Sequence, residues 1–333
     1  MKKLYYIFIF FFDICYQKIN QCHLNKNSSY QIMRILYRIS NGKFTEYLNN
    51  LLSKKIRNNC KINNSYLELE SIKSEDAEYL KNEIEKMKLY NLQELDFHIK
   101  KEHFSIIDNT FRIQDIQKKD LIRADVFKQE IFSNYKISKM LTEYINKWED
   151  KIQTVLDKKA KLLDITSWLT FPNNVKKSLK YDAQIWHRDV NKLSDIKLLI
   201  YLSDVTKIND GPFEIIDNSH NINQKVFYDN NISFRISDEK LKKEKIYDKK
   251  SFYGKKGKCF IANTRAFHRG AEVGKNYRII LELYFSSSIF GKHEFYNPYT
   301  RPKLDNNWPS YEIWDENIKN NKFLYESLFL GKM

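Results

Sequence analysis

IKLLIYLSDV, residues 196–205, is apolar on both of its alternating faces: Ile196, Leu198, Ile200 and Leu202 on one, Leu199 and Tyr201 on the other. Successive side chains of a strand point to opposite sides, so neither side of this strand meets much water. A strand with one solvated face would alternate apolar with polar residues instead. Both faces are buried if two sheets form a sandwich or barrel and helices pack outside it.

Runs of similar length and composition surround it: LDITSWLTF (163–171), DAQIW (182–186), GPFEII (211–216), KCFIAN (258–263) and YRIILELYF (277–285). Five of the eight glycines, Gly211, Gly254, Gly257, Gly270 and Gly274, fall in this region, as strand reversals require. Before Pro172 there is one glycine, Gly42, and no proline, so the first half reads as helices with polar connections. One helix is predicted from Ser74, as N-cap, through Ala77, Leu80, Ile84 and Met87; a second spans Ile137, Leu141, Tyr144, Ile145 and Trp148. After Ser288 the chain turns polar and Pro298, Pro302 and Pro309 interrupt it. The expected organisation is a leader or misassigned start over 1–32, a helical N-terminal region over 33–150, a β core over 151–288 and a tail packed on that core over 289–333. The fold class is α+β, mainly β in the core.

With 57 basic and 42 acidic residues the net charge is +15. The two signs are interspersed along the whole chain and no basic stripe or nucleic-acid motif accompanies them. A general compositional bias therefore explains the charge better than a nucleic-acid surface does, although the charge does favour an anionic small-molecule substrate. Cys15, Cys22, Cys60 and Cys259 form no CxxC, so neither a disulfide framework nor a zinc site is indicated, and a reducing, cytoplasmic setting is the default. The apolar run Leu4–Phe12 is too short to insert stably across a bilayer. Residues 1–22 acting as a signal peptide would imply export instead, and a true start at Met33 would remove the question.

IWHRDVN, residues 185–191, offers a histidine and an aspartate one residue apart. A kinase catalytic loop would need an asparagine at 194, where Ser194 stands, a glycine-rich loop upstream and a DFG downstream, and none is present. The other chemistry for this spacing is a facial triad of two histidines and one carboxylate, which holds Fe(II) and leaves coordination positions open. Residues i and i+2 of a strand share a face, which suits His187 and Asp189. Of seven histidines, His268 is the best third ligand: it ends the apolar run of KCFIANTRAFHRG (258–270), just before Gly270. Ten residues on, Arg278 opens an apolar strand. A buried arginine there needs an anionic partner, and a dicarboxylate would pair with it in bidentate fashion.

The block AQIWHRDVNKLSDIKLLIYLSDVTKINDGPFEIIDNSHN (183–221) followed by FHRGAEVGKNYRIILELYF (267–285) resembles the phytanoyl-CoA dioxygenase family of Fe(II)- and 2-oxoglutarate-dependent oxygenases. That resemblance implies a double-stranded β-helix, or jelly roll. It also implies iron on His187, Asp189 and His268, and Arg278 on the distal carboxylate of 2-oxoglutarate. O2 would be consumed and succinate and CO2 released as a small molecule is hydroxylated. Related halogenating enzymes lack the carboxylate ligand, so Asp189 favours hydroxylation. The alternative from another class is a non-catalytic jelly roll that binds metal or ligand. Two departures from the family stand out. DNSH (217–220) lacks the usual Pro-Gly, though asparagine tolerates a positive φ, and His220 there reads as a turn residue. Gly270 replaces a hydroxyl residue of some relatives, which leaves Tyr201 or Lys197 as candidates for the second cosubstrate donor. Trp186, Arg188, Phe267 and Arg269 flank the proposed ligands and are readable either as pocket or as packing residues.

Overall fold

The computed structural model describes residues 65–90, 110–118, 121–126, 130–131, 134–156, 161–172, 182–189, 195–219, 235–243 and 248–286. The proposed leader, the tail after 288, His23, His98, His103, His220, His293 and the three cysteines before Cys259 lie outside these residues.

Among the described residues twelve strands make two antiparallel sheets. The larger has the order β1-β10-β6-β12-β4-β3-β2, comprising Tyr66–Leu69, Cys259–Ala262, Asp195–Tyr201, Arg278–Ser286, Lys161–Thr170, Arg123–Val126 and Leu89–Tyr90. The smaller has the order β8-β5-β11-β7-β9, comprising Arg235–Ile236, Trp186–His187, His268–Gly270, Phe213–Ile216 and Lys249–Phe252. Chain neighbours β4 and β5, β5 and β6, β6 and β7, and β10 and β11 lie in different sheets, so the chain crosses repeatedly between the layers. This explains why IKLLIYLSDV is apolar on both sides. On β6, Ile196, Leu198 and Ile200 pack outward, while Leu199 and Tyr201 join Phe213, Ile215 and Phe252 of the smaller sheet.

The outward face is covered by α1 (Ser74–Lys86), α2 (Tyr135–Lys147) and α3 (Glu149–Leu156). Leu80 and Ile84 of α1, Ile137 and Leu141 of α2 and Ile152 of α3 share one core with Leu198, Ile261, Leu281 and Leu283 of the sheet. Each such side chain fully withdrawn from water contributes about 1.5–3 kcal/mol. A fourth, short helix, α4 (Asp238–Lys243), places Leu241 against Trp186 and Ile236 behind the smaller sheet. Among the described residues no helix is long and apolar enough to cross a membrane.

Two sequence expectations need correction here. Ser74 is the first residue of α1, not its cap: Lys73 holds the cap position without a side-chain bond, and its amide donates to the Tyr144 hydroxyl at 2.9 Å. Glu75 and Asp76 in the first turn meet the positive end of the helix dipole instead. The region read as helical also supplies β1, β2 and β3, which extend the large sheet at its two ends. Scarce Gly and Pro argued against turns, but a two- to four-residue edge strand needs only a free sheet edge.

Candidate metal centre

His187 and His268 are brought together by strand register. β5 pairs antiparallel with β11, and these two residues are directly opposite, with ring centroids 4.3 Å apart. Beyond His187 the chain leaves the strand, and the Asp189 amide donates to the Thr264 carbonyl at 2.8 Å, which ties this exit to the loop before β11. Each imidazole is oriented by the backbone two residues earlier: Nδ1 of His187 lies 2.8 Å from the Ile185 carbonyl, and Nδ1 of His268 3.0 Å from that of Ala266. A carbonyl only accepts, so each Nδ1 carries the hydrogen and each Nε2 is the nitrogen turned to the site. Phe213 stacks on His268 at 5.5 Å and fixes its ring plane.

Both Nε2 atoms face Asp189, His187 at 3.9 Å from Oδ1 and His268 at 3.5 Å from Oδ2. The three candidate donor atoms all lie within 4.8 Å of one another. Burial lowers the His187 pKa to about 3, helped by the neighbouring His268, so this imidazole stays neutral at ordinary pH. Burial would raise Asp189, but the Lys197 ammonium 2.9 Å from Oδ2 and the two histidines hold it well below the usual carboxylate range. A neutral His187, an ionised Asp189 and the facing imidazole of His268 are a donor set that fits a divalent transition ion with open positions.

Arg278 lies on the neighbouring inner wall, 4% exposed. Its guanidinium donates to the Gly211 carbonyl and, at 3.2 Å, to Thr170 Oγ1, while Nε has no partner. Among the described residues no carboxylate pairs with it, and burial lowers its pKa to about 10. An unmatched buried cation is costly, and an anion reaching this guanidinium would offset that cost. Gly270 makes room for it: a Cβ there would stand 2.8 Å from Arg278 Nη2. A hydroxyl residue at 270 would therefore have to displace the tip of this arginine. Gly211 is equally constrained, with φ at +73° and a Cβ that would meet Val273 Cγ2 at 2.6 Å.

Tyr201 does not serve as the second donor. Its hydroxyl gives its hydrogen to the Phe252 carbonyl at 3.0 Å and accepts from the Phe213 amide at 2.8 Å, so its only proton is committed within the core. Lys197 reaches Asp189 instead. Thr170, which faces Arg278 in the β4–β12 register, went unnoticed in the sequence because only strand pairing reveals it.

The flanking residues Trp186, Arg188, Phe267 and Arg269 pack on the far side. Arg269 stacks over Trp186 at 4.4 Å and bonds Glu214 and Asp238, while Arg188 stacks over Phe267 at 4.1 Å. In the DNSH turn Asn218 adopts φ 55°, the left-handed conformation that a glycine would otherwise supply. The next residue, Ser219, donates to the Ile216 carbonyl and accepts from the Phe267 amide, both at 2.7 Å, which anchors the entry to His268. Ser219→Ala removes both of these buried bonds and is expected to lower stability by about 1–3 kcal/mol. The check is a lower urea midpoint at unchanged slope.

Asp195, at the start of β6, is buried and accepts from the Tyr284 hydroxyl at 2.6 Å. Burial raises its carboxyl to about 6 despite that bond. The folded chain therefore keeps this proton where the unfolded chain loses it, and stability from this group falls as pH rises from about 4 to about 6. The loss is on the order of 3 kcal/mol. Asp195→Asn is expected to remove that slope, so its stability relative to wild type should increase across this window. Urea titrations at pH 4 and pH 7 measure the difference.

No protein-family model matches the chain, and no curated protein matches it. Solved structures do. HygX from Streptomyces hygroscopicus, with nickel, 2-oxoglutarate and hygromycin B bound, is 12% identical over 67% of this chain and 82% of its own, at a TM-score of 0.44. EctD from S. alaskensis, with 2-oxoglutarate and 5-hydroxyectoine, is 14% identical over 67% and 72%, at 0.41. The epimerase SnoN, in complex with Fe3+, alpha ketoglutarate and nogalamycin RO, is 12% identical over 67% and 79%, at 0.39.

Proposed function

We propose that this chain is a non-haem Fe(II)- and 2-oxoglutarate-dependent oxygenase that hydroxylates a small molecule on a double-stranded β-helix core. The reading is carried by one observation: His187, Asp189 and His268 converge within 4.8 Å beside a buried arginine that lacks an anionic partner among the described residues. The alternation of strands between two sheets supports the β-helix assignment.

His187 and His268 would each bind iron through Nε2, and Asp189 through a carboxylate oxygen. Arg278 would take the distal carboxylate of 2-oxoglutarate. Its guanidinium lies beside Gly270, two residues along β11 from His268 on the same face. Metal and guanidinium would thus lie along one wall, as a diacid spanning them requires. With iron and 2-oxoglutarate bound, the centre supplies O2 activation coupled to release of succinate and CO2. The protein contributes the rest. The Ile185 and Ala266 carbonyls hold both imidazoles in the metal-binding tautomer, and the burial of His268 and Arg278 keeps water from the cosubstrate. The net charge of +15 favours an anionic substrate.

The test is succinate release by the purified chain with Fe(II), 2-oxoglutarate and pooled metabolites. The expected result is release that needs both iron and 2-oxoglutarate and is stimulated by particular compounds. No release above background with any pool would count against the reading.

A further inference from the structure

Lys197 stands on the inner face of β6 with its ammonium between two carboxylates, 2.9 Å from Asp189 Oδ2 and 3.1 Å from Glu282 Oε2. The contact arises from register. Lys197 faces Tyr284 across β6 and β12, which makes Glu282, two residues back on β12, its diagonal neighbour. All three groups are largely withdrawn from water, with side-chain exposures of 20% for Asp189, 19% for Lys197 and 8% for Glu282. Arg123, on the same sheet, is held by Asp125 at 2.6 Å and stacks over Trp168 at 4.5 Å.

On the reading that His187, Asp189 and His268 bind a divalent ion, we propose that the Lys197–Glu282 pair sets how tightly that ion is held. Lys197 acts as a tethered counter-ion that keeps the Asp189 carboxylate in place before metal arrives. It then opposes the metal, because it offers a positive charge to the same carboxylate and stands beside the incoming dication. Glu282 offsets this opposition: it draws the ammonium toward itself and adds negative charge near the site. Both are positioning residues, since neither belongs to the ligand set. Charges this close and this dry interact strongly, so removing one member moves metal affinity in a direction fixed by its sign.

The experiment is calorimetric titration of Co(II) into the full chain, comparing wild type with Lys197→Met, Lys197→Gln, Glu282→Gln and the Lys197→Met/Glu282→Gln double variant. Both Lys197 variants are expected to bind Co(II) about tenfold or more tighter, and Glu282→Gln about tenfold or more weaker, with the double variant near wild type. Lys197→Gln keeps polarity and loses only charge, so agreement between the two Lys197 variants excludes a packing effect. A residue that only supports the fold would weaken binding in every variant. Shifts of one sign throughout, or no shift in a wild type that binds Co(II) through Asp189, would overturn the proposal and leave the metal centre standing. A wild type that binds no Co(II) would overturn the metal centre and this proposal with it.

Discussion

Asp189→Ala is expected to abolish Fe(II)-dependent succinate release, by roughly a thousandfold or more, while the fold survives. Changes to groups that merely orient a metal ligand already cost 10–100-fold in affinity or activity, and this substitution deletes a ligand itself. The fold survives because the backbone bond at this position is kept: the Asp189 amide bonds the Thr264 carbonyl, and alanine retains that donor. The side chain is only part-buried and its partners are the two imidazoles and Lys197. Circular dichroism should stay near wild type and the urea midpoint fall, because a carboxyl held well below its usual range stabilises the fold when ionised, while metal affinity, by calorimetry, and turnover collapse. His268→Ala should match it in turnover. Unchanged succinate production by purified Asp189→Ala would remove Asp189 from the site.

The second large effect is expected at the other end of the cosubstrate. Arg278→Leu removes a guanidinium positioned for bidentate pairing, and each charge-assisted hydrogen bond to it is worth about 1.5–3 kcal/mol. Two such bonds predict a rise of about a hundredfold or more in the 2-oxoglutarate concentration needed for half-saturation, with metal affinity unchanged. Gly270→Val should reproduce much of this with the arginine still present, because its Cβ would stand where Arg278 Nη2 now approaches to 2.8 Å. Leucine removes an unmatched buried charge, so Arg278→Leu is also expected to be no less stable than wild type without cosubstrate. Binding is measured by titrating 2-oxoglutarate into the metal-loaded chain. An unchanged half-saturation point in both variants would place the cosubstrate elsewhere.

The sequence made the long, apolar strands legible. IKLLIYLSDV shows two buried faces in its own residues, and YRIILELYF runs the length of β12, shifted by one residue. The smaller sheet was harder to see. β8, β9 and β11 are RI, KKSF and HRG, two to four residues with little apolar periodicity, and they are strands because of what lies beside them. DAQIW has the length and composition of a strand, but residues 182–184 form a 3-10 turn and only Trp186 and His187 pair.

At the site, local spacing carried the pairing of His187 with Asp189, and the end of an apolar run carried His268. Whatever depends on register was hidden. Thr170 beside Arg278 and Lys197 between Asp189 and Glu282 follow from how β4 and β6 align with β12. The orientation of Arg269 was recoverable, since a residue adjacent to an inward His268 on a strand must face outward. The residue type of Tyr201 suggests a donor, whereas its surroundings use both of its hydrogen-bonding capacities.

The most direct test of the whole account is the visible absorption of the purified chain under anaerobic conditions as Fe(II) and 2-oxoglutarate are added. A charge-transfer band should form only when both are present, weaken in Arg278→Leu at limiting 2-oxoglutarate and be absent in Asp189→Ala. No band in the wild type with both components at saturation would contradict joint binding of iron and cosubstrate, and with it the oxygenase.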